Sequence, residues 1–418
     1  MSKELPHQHS YLRCREPHAG GEASLMRYMV PFSPAGTASF PGHRFFIAPE
    51  EEPNNVLIRF VIGSYPDNVY VYDPYIVLGD EKKTLKIIKK KLSKSHQDQY
   101  MAWRKTIAFN EVYKEHTGRS YLANYLRPPP IHYMWPADYF EQTHWITSKA
   151  THFISLPPPE LLTSIKSVGK SRVLNDDEPR LLAEYRTPES DIKFTLKVLS
   201  CQPRVFEIAE FLSDIEVAHI LEIADEENLQ LSSTGSVGPG EKAVKEDSRR
   251  TRTSTNSWVE RERSPIIDAI YRRAADVLRI DEALLRQRGD GEHPNAKSNA
   301  TMAESLQLVH YDPKQEYTAH HDFGYGKITE DTQTARFATL LFYLNDEGLV
   351  GGTTSFPRYL NAESFEELHV EPKKGKAVLF YSQLPDGNMD DLSQHAAKPV
   401  RQGEKWLINL WVWDPMYS

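Results

Sequence analysis

The stretch Arg336-Phe-Ala-Thr-Leu-Leu-Phe-Tyr-Leu344 constrains the fold of this chain more than any other. It is strand-like and apolar on both faces, and such a strand has to be covered on both, at the centre of a sheet. The closing run, Trp406 to Trp413, divides by face instead. Trp406, Ile408, Leu410 and Val412 are uniformly apolar, as expected where a sheet packs on helices. Lys405, Leu407, Asn409, Trp411 and Trp413 share the other face. A lysine on that inward face, with tryptophan further along it, reads as a pocket wall that meets an anion, although taken alone it reads better as an exposed lysine at the start of a strand. Ala377-Val-Leu-Phe-Tyr381 is a further strand, and Asn345-Asp346 and Gly351-Gly352 mark a turn.

Helical signals lie upstream. Ser213 and Glu216 have the spacing of a capping box, opening a helix whose expected apolar face is Ile215, Ala218, Leu221 and Ile223. Ser264-Pro265 supplies an N-cap with proline at the first helical position, and Ile267, Ile270, Ala274 and Val277 form the buried stripe that follows. The Gly-, Ser- and charge-rich residues 232–245 read as a loop. Helices first, then short strands separated by turns, predict an α+β chain with a β-sandwich or barrel and helical support.

At 418 residues the chain has room for two or three domains. Residues 1–40 read as a flexible tail. Residues 41–166 read as an N-terminal α+β unit of unknown fold and function. There, 56–62 is a strand with 69–72 as its hairpin partner, and 81–100 and 101–126 are helical. Leu85, Ile88 and Leu92 share one side of the first helix. Triple prolines at 128–130 and 157–159 break regular structure near the unit's edge. Residues 167–194, rich in charge and turn formers, read as a linker to a second unit over 195–418.

A net charge of −8 gives no electrostatic reason to seek nucleic acid or an anionic membrane. The composition, 39% hydrophobic and 26% charged with a mean hydropathy of −0.56, is that of an ordinary soluble protein. No run approaches the roughly 18 apolar residues of a membrane span, and the N-terminal residues lack the apolar core of a signal peptide. Cys14 and Cys201 alone build neither a disulfide framework nor a cysteine zinc site.

The chemistry-bearing residues follow the strand-like run Leu306-Gln-Leu-Val-His-Tyr311. On an extended strand His320 and Asp322 point one way and His321 the other. An imidazole and a carboxylate two residues apart can grip one metal ion, and that donor set, with open positions left, suits non-haem Fe(II). Downstream, His395 stands ten positions before Lys405.

These residues give a specific resemblance. Tyr311, Gln315, Tyr317, His320 and Asp322 come first, then Arg336-Phe-Ala-Thr339 and Gly351-Gly-Thr-Thr-Ser-Phe-Pro357, and last His395 and Lys405. Together they resemble the catalytic core of the prolyl 4-hydroxylases, which are Fe(II)- and 2-oxoglutarate-dependent dioxygenases. Pro203-Arg204, Phe211-Leu-Ser213 and Arg252-Thr-Ser254 extend the likeness over roughly 195–418. Leu384-Pro-Asp-Gly387, Asp390-Asp391 and Asp414-Pro415 are more loosely similar to the transmembrane animal branch.

The resemblance implies a double-stranded β-helix, or jelly-roll, over the second unit. It implies Fe(II) held by His320, Asp322 and His395, with 2-oxoglutarate and O2 as cosubstrates and ascorbate as a supporting cofactor. Lys405 would pair with the far carboxylate of 2-oxoglutarate, joined by Tyr311 and Thr354, while Glu304, Tyr317, Arg336 and Trp411 would line a groove for a proline-containing peptide or protein. The reaction would couple decarboxylation of 2-oxoglutarate, to succinate and CO2, with hydroxylation of peptidyl proline. The family's endoplasmic-reticulum setting is implied too, although no signal or span is seen in this chain.

Four departures bear on the substrate alone. Lys398, Cys201 and Trp413 replace a cysteine, a tryptophan and a histidine of the family, and Arg358 to His369 is an insertion. Two alternatives therefore stay open: a hydroxylase of the same kind acting on another residue or a small molecule, and a non-catalytic binding module. The oligomeric state is not legible.

Overall fold

A computed structural model describes residues 10–15, 24–29, 32, 41–49, 52, 54–63, 69–123, 125–154, 191–227, 229–232, 252–293, 299–323, 325–329, 332–362, 364 and 366–414. The chain resolves into two compact units, Met1–Pro128 with Lys327–Gln333, and Pro129–Gly326 with Thr334–Ser418.

The first unit carries an antiparallel sheet in the order β2-β1-β3-β4. Its strands are β1 (Ser10–Arg15), β2 (Ser24–Met29), β3 (Arg44–Pro49) and β4 (Ile58–Val61). The first two fall within the stretch read as a tail. β4 pairs with β3 and not with 69–72. Tyr70 stacks on Phe60 at 4.5 Å and donates its hydroxyl to Val61 O at 2.6 Å, so that segment contacts β4 through a side chain. Helices α1 (Glu81–Lys91) and α2 (Lys94–Thr117) meet at Leu92-Ser93, earlier than expected. Ser93 is the reason: its hydroxyl accepts from His96 N–H and starts a new helix. Ile88, Leu92, Tyr75 and Tyr100 pack together beneath them.

The remaining strands follow in chain order. They are β5 (Thr143–Lys149), β6 (Asp191–Ser200), β7 (Val205–Ile208), β8 (Gln230–Leu231), β9 (Thr255–Val259), β10 (Leu306–Tyr311), β11 (Tyr317–His320) and β12 (Tyr325–Thr329). After them come β13 (Thr332–Tyr343), β14 (Val350–Gly351), β15 (Thr354–Phe356), β16 (Leu368–Val370), β17 (Ala377–Tyr381), β18 (His395–Ala397), β19 (Val400–Gln402) and β20 (Lys405–Trp413). A major sheet runs β5-β6-β7-β17-β13-β20-β10-β9-β8 and a minor one β11-β18-β15-β16. These two sheets are the jelly-roll.

β13 lies between β17 and β20, as its two apolar faces require. Leu340 and Phe342 join a core shared with helices α3 (Asp214–Glu226) and α4 (Pro265–Leu278), while Leu341 and Tyr343 join a second core inside the jelly-roll. β20 splits the same way. Ile408, Leu410 and Val412 turn to the first core and Leu407 to the second.

α3 has the expected capping box, but its buried face is Val217, Ile220, Ile223 and Ala224. Of the predicted stripe, Ala218 is exposed and Ile215 and Leu221 sit at the margin, half-buried, so the helix is rotated relative to expectation. The cause is Glu216, which is 0% exposed and paired at 2.8 Å with Arg273 of α4, also 0% exposed. Glu216 further accepts from the N–H groups of Ser213 and Ile154, so the buried charge is fully bonded.

Residues 129–154, which the sequence groups with the N-terminal unit, pack with the second. Trp135 and Ile146 belong to the α3–α4 core, and Trp135 Nε1–H donates to Val277 O at 2.7 Å. The expected linker lies outside the described residues up to 190, and 191–194 already belong to β6.

Candidate active site

β11 and β18 pair so that His320 faces His395, and Asp322 follows just beyond the end of β11. One ligand atom from each of these three residues lies within 4.8 Å of the other two. His320 Nε2 stands 3.7 Å from Asp322 Oδ1, and His395 Nε2 stands 3.6 Å from Oδ2. His320 Nδ1 meets Thr318 O at 2.8 Å and His395 Nδ1 meets Ser393 O at 3.0 Å. A carbonyl only accepts, so each ring carries its proton on Nδ1 and turns the lone pair of Nε2 toward the centre.

Asp322 Oδ2 accepts from Thr339 Oγ1–H at 2.8 Å and from Trp411 Nε1–H at 2.9 Å. Burial pushes its carboxyl up, but the facing His395 and His320, with Arg336 and the Trp411 N–H, more than reverse this. The carboxyl is held well below its usual range. Burial, followed by the charge of His395, drives His320 the opposite way and keeps it neutral. Two imidazoles with Nε2 turned inward and one ionised carboxylate are the donor set that fits Fe(II). His321 points away, its Nε2 at 3.0 Å from Asp391 O, as strand alternation requires.

Deeper in the jelly-roll lies Lys405, 0% exposed, its Nζ without a hydrogen-bond partner among the described residues. Register places Tyr311 opposite it, and Nζ lies 5.4 Å from the Tyr311 ring and 5.5 Å from the Tyr343 ring. Burial lowers its pKa to about 7 against the ordinary 10.5. Thr354 Oγ1 accepts from Tyr343 O–H at 2.7 Å. Gly352, at φ +70, packs on the lysine stem, where a Cβ would come within 3.2 Å of Cδ. An isolated buried cation is costly, and hydroxyls with a bare ammonium make a seat fitted to a carboxylate. The pocket therefore fits 2-oxoglutarate.

Of the residues expected to line a groove, Glu304, Arg336 and Trp411 are joined to one another. Arg336 donates Nε–H and Nη2–H to the two carboxylate oxygens of Glu304, at 2.6 and 2.9 Å. Its guanidinium lies 4.1 Å over the Trp411 ring. Trp413 Nε1–H donates to Glu304 Oε1 at 2.8 Å. Tyr317 stacks on His320 at 3.5 Å, with Arg252 over its other side at 4.7 Å. Trp411 is only 7% exposed and spends its N–H on Asp322, so it braces that carboxylate. Of the residues 232–245 that read as a loop, 233–245 lie outside the described residues.

Sequence reasoning missed Thr339, Tyr343 and Asp391. For the first two the alternation along β13 carried a signal, since both share the inward face with Leu341. Asp391 was singled out only in the looser resemblance, which gave it no role.

Residues 306–413 match the family described as the 2OG-Fe(II) oxygenase superfamily. The chain is 31% identical over 231 residues to prolyl 4-hydroxylase 2 of Arabidopsis thaliana, spanning 52% of this chain and 69% of that protein. It is 32% identical over 222 residues to prolyl 4-hydroxylase 1 of the same plant, spanning 52% and 71%. Among solved structures, a viral collagen prolyl hydroxylase from Paramecium Bursaria Chlorella virus-1 in complex with 2-oxoglutarate is 24% identical. That match covers 50% of this chain and 95% of the viral one, with a TM-score of 0.35.

Proposed function

The chain belongs to the prolyl 4-hydroxylase family of Fe(II)- and 2-oxoglutarate-dependent dioxygenases, and from that premise we propose how its own residues divide the work of hydroxylating peptidyl proline. His320, Asp322 and His395 hold the iron. When bound, iron, 2-oxoglutarate and O2 supply the oxidation, giving succinate and CO2 and placing one oxygen atom on the proline C4 carbon.

Everything else is positioning. Thr318 and Ser393 carbonyls fix the two imidazole tautomers, and Thr339 and Trp411 fix the carboxylate. Lys405 pairs with the far carboxylate of 2-oxoglutarate, with Tyr311 and Thr354 bonding to it. The proline enters beside Tyr317 and the Glu304–Arg336–Trp413 wall. A proline-rich segment suits such an aromatic-lined wall, because its extended shape is already formed before binding.

The observation that carries this reading is the wholly buried ammonium of Lys405, opposite Tyr311 and without a hydrogen-bond partner among the described residues, in the same fold as the His320/Asp322/His395 cluster. The test is succinate release with Fe(II), 2-oxoglutarate and a panel of proline peptides, with the product read by mass spectrometry. A single added oxygen on proline is expected. Oxygen on another residue, or peptide-independent turnover across the whole panel, contradicts the proline assignment.

A further inference from the structure

Asp391 links the two chain segments that carry the metal ligands. It opens the 3-10 turn Asp391–Ser393, which runs directly into His395. The turn is fixed from before by Asp390, whose side chain accepts from Leu392 N–H at 3.1 Å, and Ser393 donates its hydroxyl to Asp390 O at 2.7 Å. On the other segment, His321 is the residue between His320 and Asp322. Its Nε2 lies 3.0 Å from the Asp391 carbonyl and 3.4 Å from Asp391 Oδ1. The carbonyl can only accept, so the imidazole is the donor. Phe323 stacks on the other side of the His321 ring at 4.4 Å. Arg358, in the insertion, bonds the Asp391 carboxylate and reaches its carbonyl at 3.4 Å. The β11–β18 pairing registers His320 against His395 on the metal side. The His321–Asp391 contact closes the same two segments on the opposite side.

We propose that the Arg358–Asp391–His321 contact is a positioning device that clamps the His320-x-Asp322 segment to the turn before His395 and so sets the spacing of the metal ligands. A metal site needs its ligands held to within a fraction of an ångström, and β11 ends at His320. Asp322 lies beyond the strand, and Thr339 and Trp411 bond only its carboxylate. The bond from His321 holds the backbone segment between the two ligands from behind, and Arg358 holds the acceptor of that bond in place. None of the three touches the metal or the 2-oxoglutarate pocket, so their loss acts through ligand geometry.

The inference rests on His320, Asp322 and His395 being the ligands, and the experiment separates the two. Co(II) is titrated into the full-length protein by absorbance, without 2-oxoglutarate or peptide, and the apo-protein is melted alongside. His320→Ala has to abolish Co(II) binding. If it does not, the ligand assignment itself fails and the clamp with it. His321→Phe keeps the ring and its stacking but removes the donor, and is expected to weaken Co(II) binding about tenfold, as lost supports of metal ligands do, at unchanged melting temperature. His321→Gln, which keeps a donor, restores most of the affinity. Arg358→Leu alters a partly exposed side chain and is expected to weaken binding by about threefold on the same basis. Parental Co(II) affinity in His321→Phe and Arg358→Leu, with His320→Ala inactive in binding, overturns the clamp. So does a loss in His321→Phe that His321→Gln fails to restore.

Discussion

The two halves of the candidate site are built on opposite rules. Around the metal centre each ligand's remaining polar atom is bonded to the protein: Nδ1 of both histidines to carbonyls, and Oδ2 of Asp322 to Thr339 and Trp411. Elsewhere in the jelly-roll, Lys405 is wholly buried and has no hydrogen-bond partner among the described residues. The first region is complete as a holder, since its hydrogen bonds orient three donors that have only the metal left to find. The second is deliberately incomplete. It keeps a cation desolvated at the expense of stability, and the partner that would offset the cost is a ligand carboxylate. Satisfaction therefore marks the part of the site that orients, and a missing partner marks the part that binds.

The contrast can be broken from either side. The largest effect is expected on the metal side, where His320→Ala, Asp322→Ala and His395→Ala should each abolish metal binding and turnover. Retained Co(II) binding in any of them removes that residue from the ligand set.

Next comes the stability of the empty pocket. Lys405→Met exchanges a lone buried charge for an apolar chain of similar length, and the apo-protein should gain roughly 1–4 kcal/mol at pH 6. The folded lysine titrates near 7 and the unfolded one near 10.5, so between those values the unfolded chain binds the extra proton and parental stability rises with pH. The advantage of Lys405→Met should shrink across that window, as read by melting at stepped pH. An advantage independent of pH would falsify the picture of a desolvated cation.

The smallest effect is expected from Trp411→Phe, which keeps the ring against Arg336 and deletes only the N–H to Asp322. Metal affinity should fall by roughly 10-fold, with the fold intact. An unchanged affinity leaves Trp411 as wall alone.

Much of this was legible in the sequence wherever a single strand's alternation decides. The two-faced strand 336–344, the split of 405–413 and the opposite facings of His320 and His321 all follow from a period of two, and all three hold. What escaped depends on distant partners. The α3 stripe turned because Glu216 is buried against Arg273, a residue no local pattern connects to it. β4 found its partner in β3 and not in the nearest following run, and Trp135 left the N-terminal unit because its core lies with α4. In the site, the pairing of His320 with Asp322 was readable from their spacing, and His395 was reached through the family resemblance. The contact made by Asp391 was not readable, since its partner stands 70 residues away.

The most direct test is the affinity for 2-oxoglutarate of the Mn(II)-loaded full-length protein, measured by calorimetry for the parent and for Lys405→Met. Removing one partner of a buried pair costs about 3–5 kcal/mol, so binding should weaken by at least about 100-fold while the Mn(II) affinity stays within about twofold. Above pH 7 the parent should also take up a proton on binding, since the carboxylate restores the ammonium charge. Equal affinity for 2-oxoglutarate in the two proteins would contradict the account, because the buried Lys405 ammonium, which has no hydrogen-bond partner among the described residues, would then have no ligand to answer to.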